Sequence, residues 1–305
     1  MQVTILGTGA GGPFQGRNYT AQVLQTENHY YLIDCGEGTQ HQLHRFRVPY
    51  DRFRQIFISH LHGDHVFGLI GLLTSYCLKK RTQPLQIFSP SGLRELVAET
   101  ARLTGIIFPY SIQFTEVDPN VSQPVFEDKW VEVWTIPLNH RMPCSGWLFR
   151  EKPRLLNIRK EKITEYDIPI SLIPGIKAGA DLSLPDGRVI ANAELTQAPR
   201  PLRSYAFCSD TAPAPEIAAA IRNADLLYHE ATFTDEHRED AALSFHSTAA
   251  QAAGIAKAAG VKKLLLGHFS GRYPDVEKHL LEARAVFPDT EAAEEGAVYG
   301  IPHLL

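Results

Sequence analysis

Short apolar runs separated by polar turns dominate this chain, and most of them are rich in β-branched and aromatic residues. That pattern is typical of β-strands. The strands that it predicts lie at residues 1–7, 21–26, 30–34, 55–58, 84–89, 112–117, 130–136, 204–210, 224–230 and 261–268. The second and third of these, joined by Glu27-Asn28-His29, predict a hairpin.

Helical segments follow several of these strands, at residues 40–46, 66–73, 91–103 and 247–259. The repeated order of strand and then helix predicts two halves of mixed strands with helices outside them. We therefore expect an α/β (α+β) fold, a four-layer αββα sandwich in which the loops at one edge carry the polar residues.

The regular pattern is interrupted between about residues 150 and 203. This segment has many prolines and a run of basic side chains, namely Arg150, Lys152, Arg154, Arg159, Lys160 and Lys162. It predicts an arm with a basic stem at approximately 150–203, inserted into a single domain that spans residues 1–305. A solvated, lysine-rich surface is the alternative interpretation of the same charges.

Composition narrows the class of protein. Of the 305 residues 44% are hydrophobic and 21% are charged, as in ordinary globular proteins, and the net charge of −4 excludes a globally basic nucleic-acid binder. No apolar run approaches ~18 residues, so we expect no membrane span. The four cysteines form no C-x-x-C pair, and the N-terminus is typical of a strand rather than a signal peptide, which favours reduced thiols in the cytoplasm.

A glycine-rich stretch, Gly7-Thr8-Gly9-Ala10-Gly11-Gly12, matches the G-x-G-x-x-G pattern of dinucleotide-binding loops. Such a loop must open a helix at its third glycine, whereas residues 13–18 predict another loop. We therefore expect no dinucleotide cofactor here.

The densest group of metal-binding side chains is Ser59-His60-Leu61-His62-Gly63-Asp64-His65, between a predicted strand and a predicted helix. In an extended turn His60 and His62 point the same way, while Asp64 and His65 come from the next bend. Two adjacent pairs of ligands can therefore face two metal ions.

Four other predicted strands also end in polar residues of this kind: His140, Asp210, Glu230 and His268. Their repetition favours one shared site. A structural zinc site is closed by four ligands and needs no carboxylate shared between two ions. A catalytic pair of metal ions therefore fits this set of residues better. Asp34 either orients a ligating imidazole or is a plain turn residue.

At these positions the sequence resembles the metallo-β-lactamase superfamily and, within it, the ribonuclease Z family of tRNA 3′-processing endonucleases. The H-x-H-x-D-H turn resembles the whole superfamily, whereas His-Glu-Ala-Thr-Phe at 229–233 together with His246 resembles the narrower family. The resembling segments span nearly the whole chain and lie at residues 6–9, 34–40, 57–65, 137–140, 208–211, 229–233 and 267–273.

The resemblance implies a role for each of these residues. One zinc ion would be held by His60, His62 and His140, a second by Asp64, His65 and His268, and Asp210 would bridge the two ions. Asp64 would also be the general base for a metal-held hydroxide that attacks the phosphodiester after the discriminator nucleotide of precursor tRNA. Glu230 and His246 would protonate the departing 3′ oxygen. Alternatively, His246 caps the helix that follows it. Manganese or another divalent ion suits the same ligands.

The resemblance also implies two partners: precursor tRNA, gripped by the arm, and a second copy of the chain, whose arm serves the neighbouring active site in a homodimer. The arm departs from the family pattern, because Pro174-Gly175 and Ile176-Lys177-Ala178-Gly179 stand where a Gly-Pro pair and a Leu-Lys-x-Gly stretch are usual. We therefore expect the arm to bind RNA in an altered way.

Two other functions remain open. A small-molecule hydrolase of phosphodiesters, sulfate esters or lactones would use the same metals, although it would not need the basic stem. An RNA-binding protein without catalysis would be expected to have lost some of the seven metal ligands, and all are present. The leading expectation is a zinc-dependent endoribonuclease that leaves a tRNA 3′ hydroxyl.

Overall fold

The computed structural model describes residues 1–27 and 29–303. The chain divides into two compact units, one of residues 1–150 and 203–302 and another made chiefly of residues 151–202. The predicted hairpin turn includes Asn28, which lies outside the described residues.

The first 150 residues contain most of the predicted strands. The strands are β1 (Gln2–Gly7), β2 (Gly9–Ala10), β3 (Ala21–Thr26), β4 (His29–Ile33), β5 (Gln55–Phe57), β6 (Leu85–Ser89), β7 (Ile112–Glu116), β8 (Pro124–Glu127), β9 (Val131–Pro137) and β10 (Ser145–Glu151). The helices are α1 (Thr39–Arg45), α2 (Gly63–Val66), α3 (Gly68–Leu78) and α4 (Leu93–Thr104).

Residues 151–202 fold around a small apolar core of their own, formed by Ile168, Ile176, Leu182 and Leu195. Their elements are short: β11 (Asn157–Ile158), α5 (Lys160–Glu165), α6 (Ile173–Lys177), β12 (Leu182–Ser183), β13 (Val189–Ile190), α7 (Asn192–Leu195) and β14 (Thr196–Gln197). Strand β11 pairs with β14, and β12 pairs with β13.

The remaining residues return to the alternation of strand and helix. The strands are β15 (Ser204–Cys208), β16 (Leu226–Glu230), β17 (Lys263–Gly267), β18 (Phe269–Ser270), β19 (Thr290–Ala292) and β20 (Val298–Gly300). The helices are α8 (Pro215–Ala220), α9 (Arg238–Ser244), α10 (Ala249–Ala259) and α11 (Glu277–Val286).

Two seven-stranded sheets organise the larger unit. Their strand orders are β20-β1-β3-β4-β5-β6-β7 and β19-β17-β16-β15-β10-β9-β8. Strands β4 to β7 are parallel to one another, and so are β15, β16, β17 and β19. Parallel strands end at the same edge of their sheet, so the residues that follow them are brought together.

Three apolar layers separate the sheets and helices of this unit. Side chains of both sheets meet in the first layer, where the rings of Phe57 and Trp147 are 5.3 Å apart. A second layer lies beneath α1, α3 and α4, and a third lies beneath α8, α10 and α11. Each element buries its apolar face against a neighbour, which confirms the predicted four-layer αββα sandwich.

None of the described helices is both long and apolar enough to cross a bilayer. All four cysteines fall within the described residues and are unpaired thiols. Burial raises the pKa of the Cys35 thiol to about 12, so this thiol is held in its unreactive protonated form.

Candidate metal centre and active site

The candidate site lies where strands of both sheets end. His60 and His62 follow β5, and Asp64 and His65 lie on α2, which begins at Gly63 rather than at the predicted residue 66. The remaining predicted ligands follow three strands of the other sheet: His140 after β9, Asp210 after β15 and His268 after β17. The fold therefore brings all seven predicted ligands to one place.

The first group of ligand atoms surrounds His62. Its Nδ1 lies 2.9 Å from Nε2 of His60 and 3.3 Å from Nε2 of His140. Oδ2 of Asp210 is 3.6 Å from Nε2 of His60 and 3.9 Å from Nε2 of His140. Three imidazole nitrogens and one carboxylate oxygen therefore converge.

The second group surrounds the ring nitrogens of His65 and His268, whose Nε2 atoms are 3.3 Å apart. Oδ2 of Asp64 is 3.6 Å from both nitrogens. The other oxygen of Asp210, Oδ1, is 3.2 Å from both. Asp210 therefore turns one oxygen to each group, which is the geometry that a bridging carboxylate requires.

These distances fit a divalent metal. Ligands bound at 2.0–2.1 Å in a tetrahedron lie about 3.3 Å from one another, close to the separations found here. Imidazole binds a metal only in its neutral form. Burial lowers the pKa values of His60, His62 and His140, so these rings keep the free lone pair that a metal needs.

The second group carries more negative charge than the first. Burial opposes a charge on His65, but the carboxylates of Asp210, Asp64 and Asp34 outweigh it and raise the pKa of His65 well above its usual value. The same carboxylates would attract a metal cation bound between these groups, so the negative charge of the site favours a divalent ion.

The outer nitrogens of the ligand rings are held by protein groups. His65 Nδ1 donates to Oδ2 of Asp34 at 2.7 Å, and His140 Nδ1 donates to the carbonyl of Phe245 at 3.1 Å. Nδ1 of His268 lies 3.0 Å from Oγ1 of Thr232. Such partners fix the tautomer and direction of a ligating ring. The contact between Asp34 and His65 is the one that an orienting residue would make, which favours that interpretation over a plain turn residue.

Glu230 and His246 form a pair beside this cluster. Oε1 of Glu230 lies 2.7 Å from Nδ1 of His246, and the buried carboxylate also accepts from the backbone amides of Thr211 and Thr232 at 2.8 and 3.0 Å. Burial opposes a charge on His246, but the charge and hydrogen bond of Glu230 outweigh it and raise its pKa to about 9. At neutral pH the imidazole therefore holds a second proton.

His246 does not cap the helix after it, so that alternative is wrong. The N-cap of α10 is Thr248, whose side chain accepts from the amide of Gln251 in a capping box. The His246 ring instead lies 5.3 Å from the ring of His140 and 5.6 Å from that of His268.

Two further groups act on the site without having been predicted. Thr232 donates its hydroxyl to Glu230 at 2.6 Å and contacts His268, although it carries no metal-binding chemistry that would single it out in a sequence. The backbone amide of Gly11 donates to Oδ2 of Asp64 at 2.8 Å. The glycine-rich stretch leads into a short 3-10 turn, Phe14–Gly16, which confirms that no α-helix opens at Gly12.

The predicted basic stem is partly neutralised. Arg154 lies 3.5 Å from Glu151, and Lys162 lies 2.8 Å from Glu165. Residues 151–202 contain eight Lys and Arg against seven Asp and Glu, a net charge of +1. These residues therefore present individual cations rather than a strong overall positive charge.

Comparison with known proteins reveals close relatives over the full length. The chain is 45% identical to a protein named ribonuclease Z from Bacteroides fragilis over 294 residues, covering 96% of this chain and 97% of the relative. It is 40% identical to a ribonuclease Z from Cytophaga hutchinsonii over 299 residues, covering 98% of this chain and 95% of the relative.

Solved structures show the same similarity in three dimensions. The short form of human tRNase Z matches with a TM-score of 0.70 and 29% identity, covering 99% of this chain and all of that chain. The metallo-β-lactamase-fold protein YhfI from Bacillus subtilis matches with a TM-score of 0.67 and 20% identity, covering 98% and 99%. Residues 1–106 also match a family model described as anti-Pycsar protein Apyc1.

Proposed function

This chain belongs to the ribonuclease Z family, and from that premise we propose that it is a metal-dependent endoribonuclease that removes the 3′ trailer of precursor tRNA. The cut falls after the discriminator nucleotide and leaves a 3′ hydroxyl on the tRNA. The observation that carries the proposal is the Glu230–His246 pair beside the ligand cluster, because the holding of metal ions does not require it.

The residues that would hold two zinc ions are His60, His62 and His140 for one, and Asp64, His65 and His268 for the other, with Asp210 between them. Manganese or another divalent ion suits the same donors. When bound, such ions supply Lewis acidity and lower the pKa of a coordinated water from 15.7 to about 7.

Asp64 has a second task, since its carboxylate accepts the proton of the attacking water. The amide of Gly11 fixes one of its oxygens at 2.8 Å, so the direction of this base does not depend on the metal ligands alone. A general base in a fixed position typically contributes a factor of about 10² to 10⁴.

His246 supplies the proton that the departing 3′ oxygen needs. Its Nδ1 is bound to Glu230, which leaves Nε2 as the nitrogen that can donate. A pKa of about 9 keeps this nitrogen protonated at neutral pH, so the proton is in place when the 3′ oxygen departs.

We assign the arm, approximately 150–203, to the grip on tRNA. The exposed Lys160 begins α5, and the half-buried Lys177 ends α6 in the altered stretch of the sequence. Replacing both with Glu should weaken tRNA binding and reduce the salt dependence of the binding constant by about one counterion per lysine. Turnover of a small chromogenic phosphodiester should be unchanged, and equal losses on both substrates would contradict the assignment.

A second copy of the chain would pack on α3. This helix is apolar on nearly all sides: Leu69, Leu72 and Leu73 are buried in the larger unit, while Leu78 is 81% exposed. Phe67, directly before α3, is 65% exposed as well, so a large apolar side chain reaches solvent at each end of the helix, and a second copy would cover both. Leu78→Glu should convert a dimer to a monomer in analytical ultracentrifugation, whereas Leu103→Glu on the exposed face of α4 should not.

We place the protein in the cytoplasm, where precursor tRNA is made and processed. Four unpaired cysteines suit a reducing compartment.

The deciding experiment is cleavage of one precursor tRNA with a 3′ trailer by the purified protein after metal analysis. The proposal requires a single cut after the discriminator, about two metals per chain, and no activity in Asp64→Ala. Two bound metals without RNA cleavage, but with turnover of a small phosphodiester, would instead assign the site to a small-molecule hydrolase.

A further inference from the structure

Phe14 presents an open aromatic face beside the candidate active site. Its side chain is 60% exposed. Within residues 1–27 and 29–303, no other aromatic ring stacks on it. A large exposed phenyl group at the edge of a catalytic centre is available to a ligand.

The loop that carries Phe14 is fixed to the segment after His268. Strand β2 pairs with β18, which places Gly9 opposite Phe269. The guanidinium of Arg17 donates to the carbonyl of Tyr273 at 3.0 Å, and the side-chain amide of Gln15 donates to the carbonyl of Gly271 at 3.3 Å. Phe14 is therefore held in place before any substrate arrives.

Two glycines make room for the ring. A Cβ added to Gly271 would lie 2.5 Å from Cβ of Phe14, and one added to Gly12 would collide with the edge of its ring. One edge of the phenyl group therefore packs against backbone at these two positions, and 60% of the side chain remains exposed. This arrangement gives a rigid platform and not a mobile side chain.

The platform is also linked to Asp64. The amide of Gly11, three residues before Phe14, donates to Oδ2 of Asp64 at 2.8 Å. The loop that carries Phe14 thus contacts the predicted metal ligand Asp64 through Gly11. It also pairs, through β2, with the strand that directly follows His268. Phe14 therefore lies on a loop that contacts the predicted metal ligand Asp64 and the segment that follows His268.

We propose that Phe14 is a stacking platform for the nucleobase of a nucleotide adjacent to the scissile phosphate. This proposal rests on the endoribonuclease function proposed above. Unpaired bases in single-stranded RNA stack on aromatic side chains, and this contact needs no particular base because every base has a π face. Phe14 positions the RNA strand and takes no part in proton transfer.

The first test compares variants of Phe14 on precursor tRNA. Loss of one stacked base costs a factor of roughly 5 to 150, so Phe14→Ala should lower kcat/KM by that amount. Phe14→Trp should keep the wild-type value, whereas Phe14→Leu, which retains bulk without a π face, should be as poor as Ala. Turnover of a small phosphodiester should stay within about twofold in all variants. Ile107→Ala, at an 85% exposed position before β7, serves as the control.

The second test measures stacking itself. 2-Aminopurine is placed at the discriminator or at the first trailer nucleotide, and its fluorescence is followed on binding to a slow Glu230→Gln variant. Quenching at one of these positions that disappears with Phe14→Ala supports the proposal. Wild-type activity of Phe14→Ala, rescue by Leu, or unchanged quenching would overturn it. If the wild-type protein cuts no precursor tRNA at all, the proposed function fails instead.

Discussion

Replacement of Asp34 by Asn tests whether this residue orients His65 or only shapes a turn. Asp34 has a φ of +56°, a left-handed conformation that Asn adopts as readily as Asp. The substitution therefore leaves the backbone undisturbed and changes only the carboxylate. If the turn were the sole function of Asp34, the variant would behave like the wild-type protein.

The structure allows the effect to be estimated. Asp34 accepts hydrogen bonds from the amide and hydroxyl of Ser59, at 2.7 and 2.8 Å, and from Nδ1 of His65 at 2.7 Å. In the Asp34→Asn variant one carboxylate oxygen is replaced by an NH₂ donor, so Nδ1 of His65 loses its acceptor and the ring proton moves to the ligating Nε2. Loss of a charge-assisted hydrogen bond costs about 1.5–3 kcal/mol. We therefore expect Zn²⁺ affinity to fall roughly 10- to 100-fold.

The assay is competition for Zn²⁺ against a chromogenic chelator, with thermal unfolding of the metal-free protein as a check on folding. Asp118→Asn, at an exposed position, is the matched control. Unchanged zinc affinity in Asp34→Asn would refute the orienting role, even if catalysis were reduced.

Four other substitutions test the structure. Glu230→Gln removes the charge that holds the His246 proton, so kcat on precursor tRNA should fall about 10²- to 10⁴-fold. The metal content, measured on the same sample, should stay unchanged. Loss of metal would instead indicate that Glu230 is a metal ligand. Gly36→Ala would drive a Cβ into the backbone of α2, whereas Gly254→Ala in α10 meets open space. Urea denaturation should therefore show a loss of about 1–3 kcal/mol for the first and a gain of about 1 kcal/mol for the second. Burial lowers the pKa of His279 to about 4, so the fold favours its neutral form and loses stability as pH falls below the unfolded value of about 6.5. Between pH 7 and pH 5 the free energy of unfolding should fall by about 2 kcal/mol because of His279. Urea titrations of the metal-free His279→Phe variant should show a pH dependence that is smaller by this amount. If the free energy of unfolding depended on pH equally in the variant and the wild-type protein, the prediction would be wrong.

Much of the fold could be predicted because its signals are local. Short apolar runs rich in β-branched and aromatic residues predicted the strands that carry the site, and turn chemistry correctly excluded a helix at Gly12. The start of α2 was missed by three residues, since Gly63, Asp64 and His65 are weak helix formers and the helix there is held by its surroundings. The helix-cap interpretation of His246 failed because Thr248 is two residues closer to α10 and is a better cap.

The sequence by itself determined which side chains can bind metal and, through strand ends, that they share one edge of the fold. Tertiary structure alone decided how they face one another: Asp210 turns one oxygen to each group, and Asp34 holds His65. The bond from Gly11 to Asp64 joins residues 53 positions apart, and that between Thr232 and His268 spans 36. Such contacts depend on how two sheets pack, because the packing sets distances between residues whose local patterns carry no information about each other.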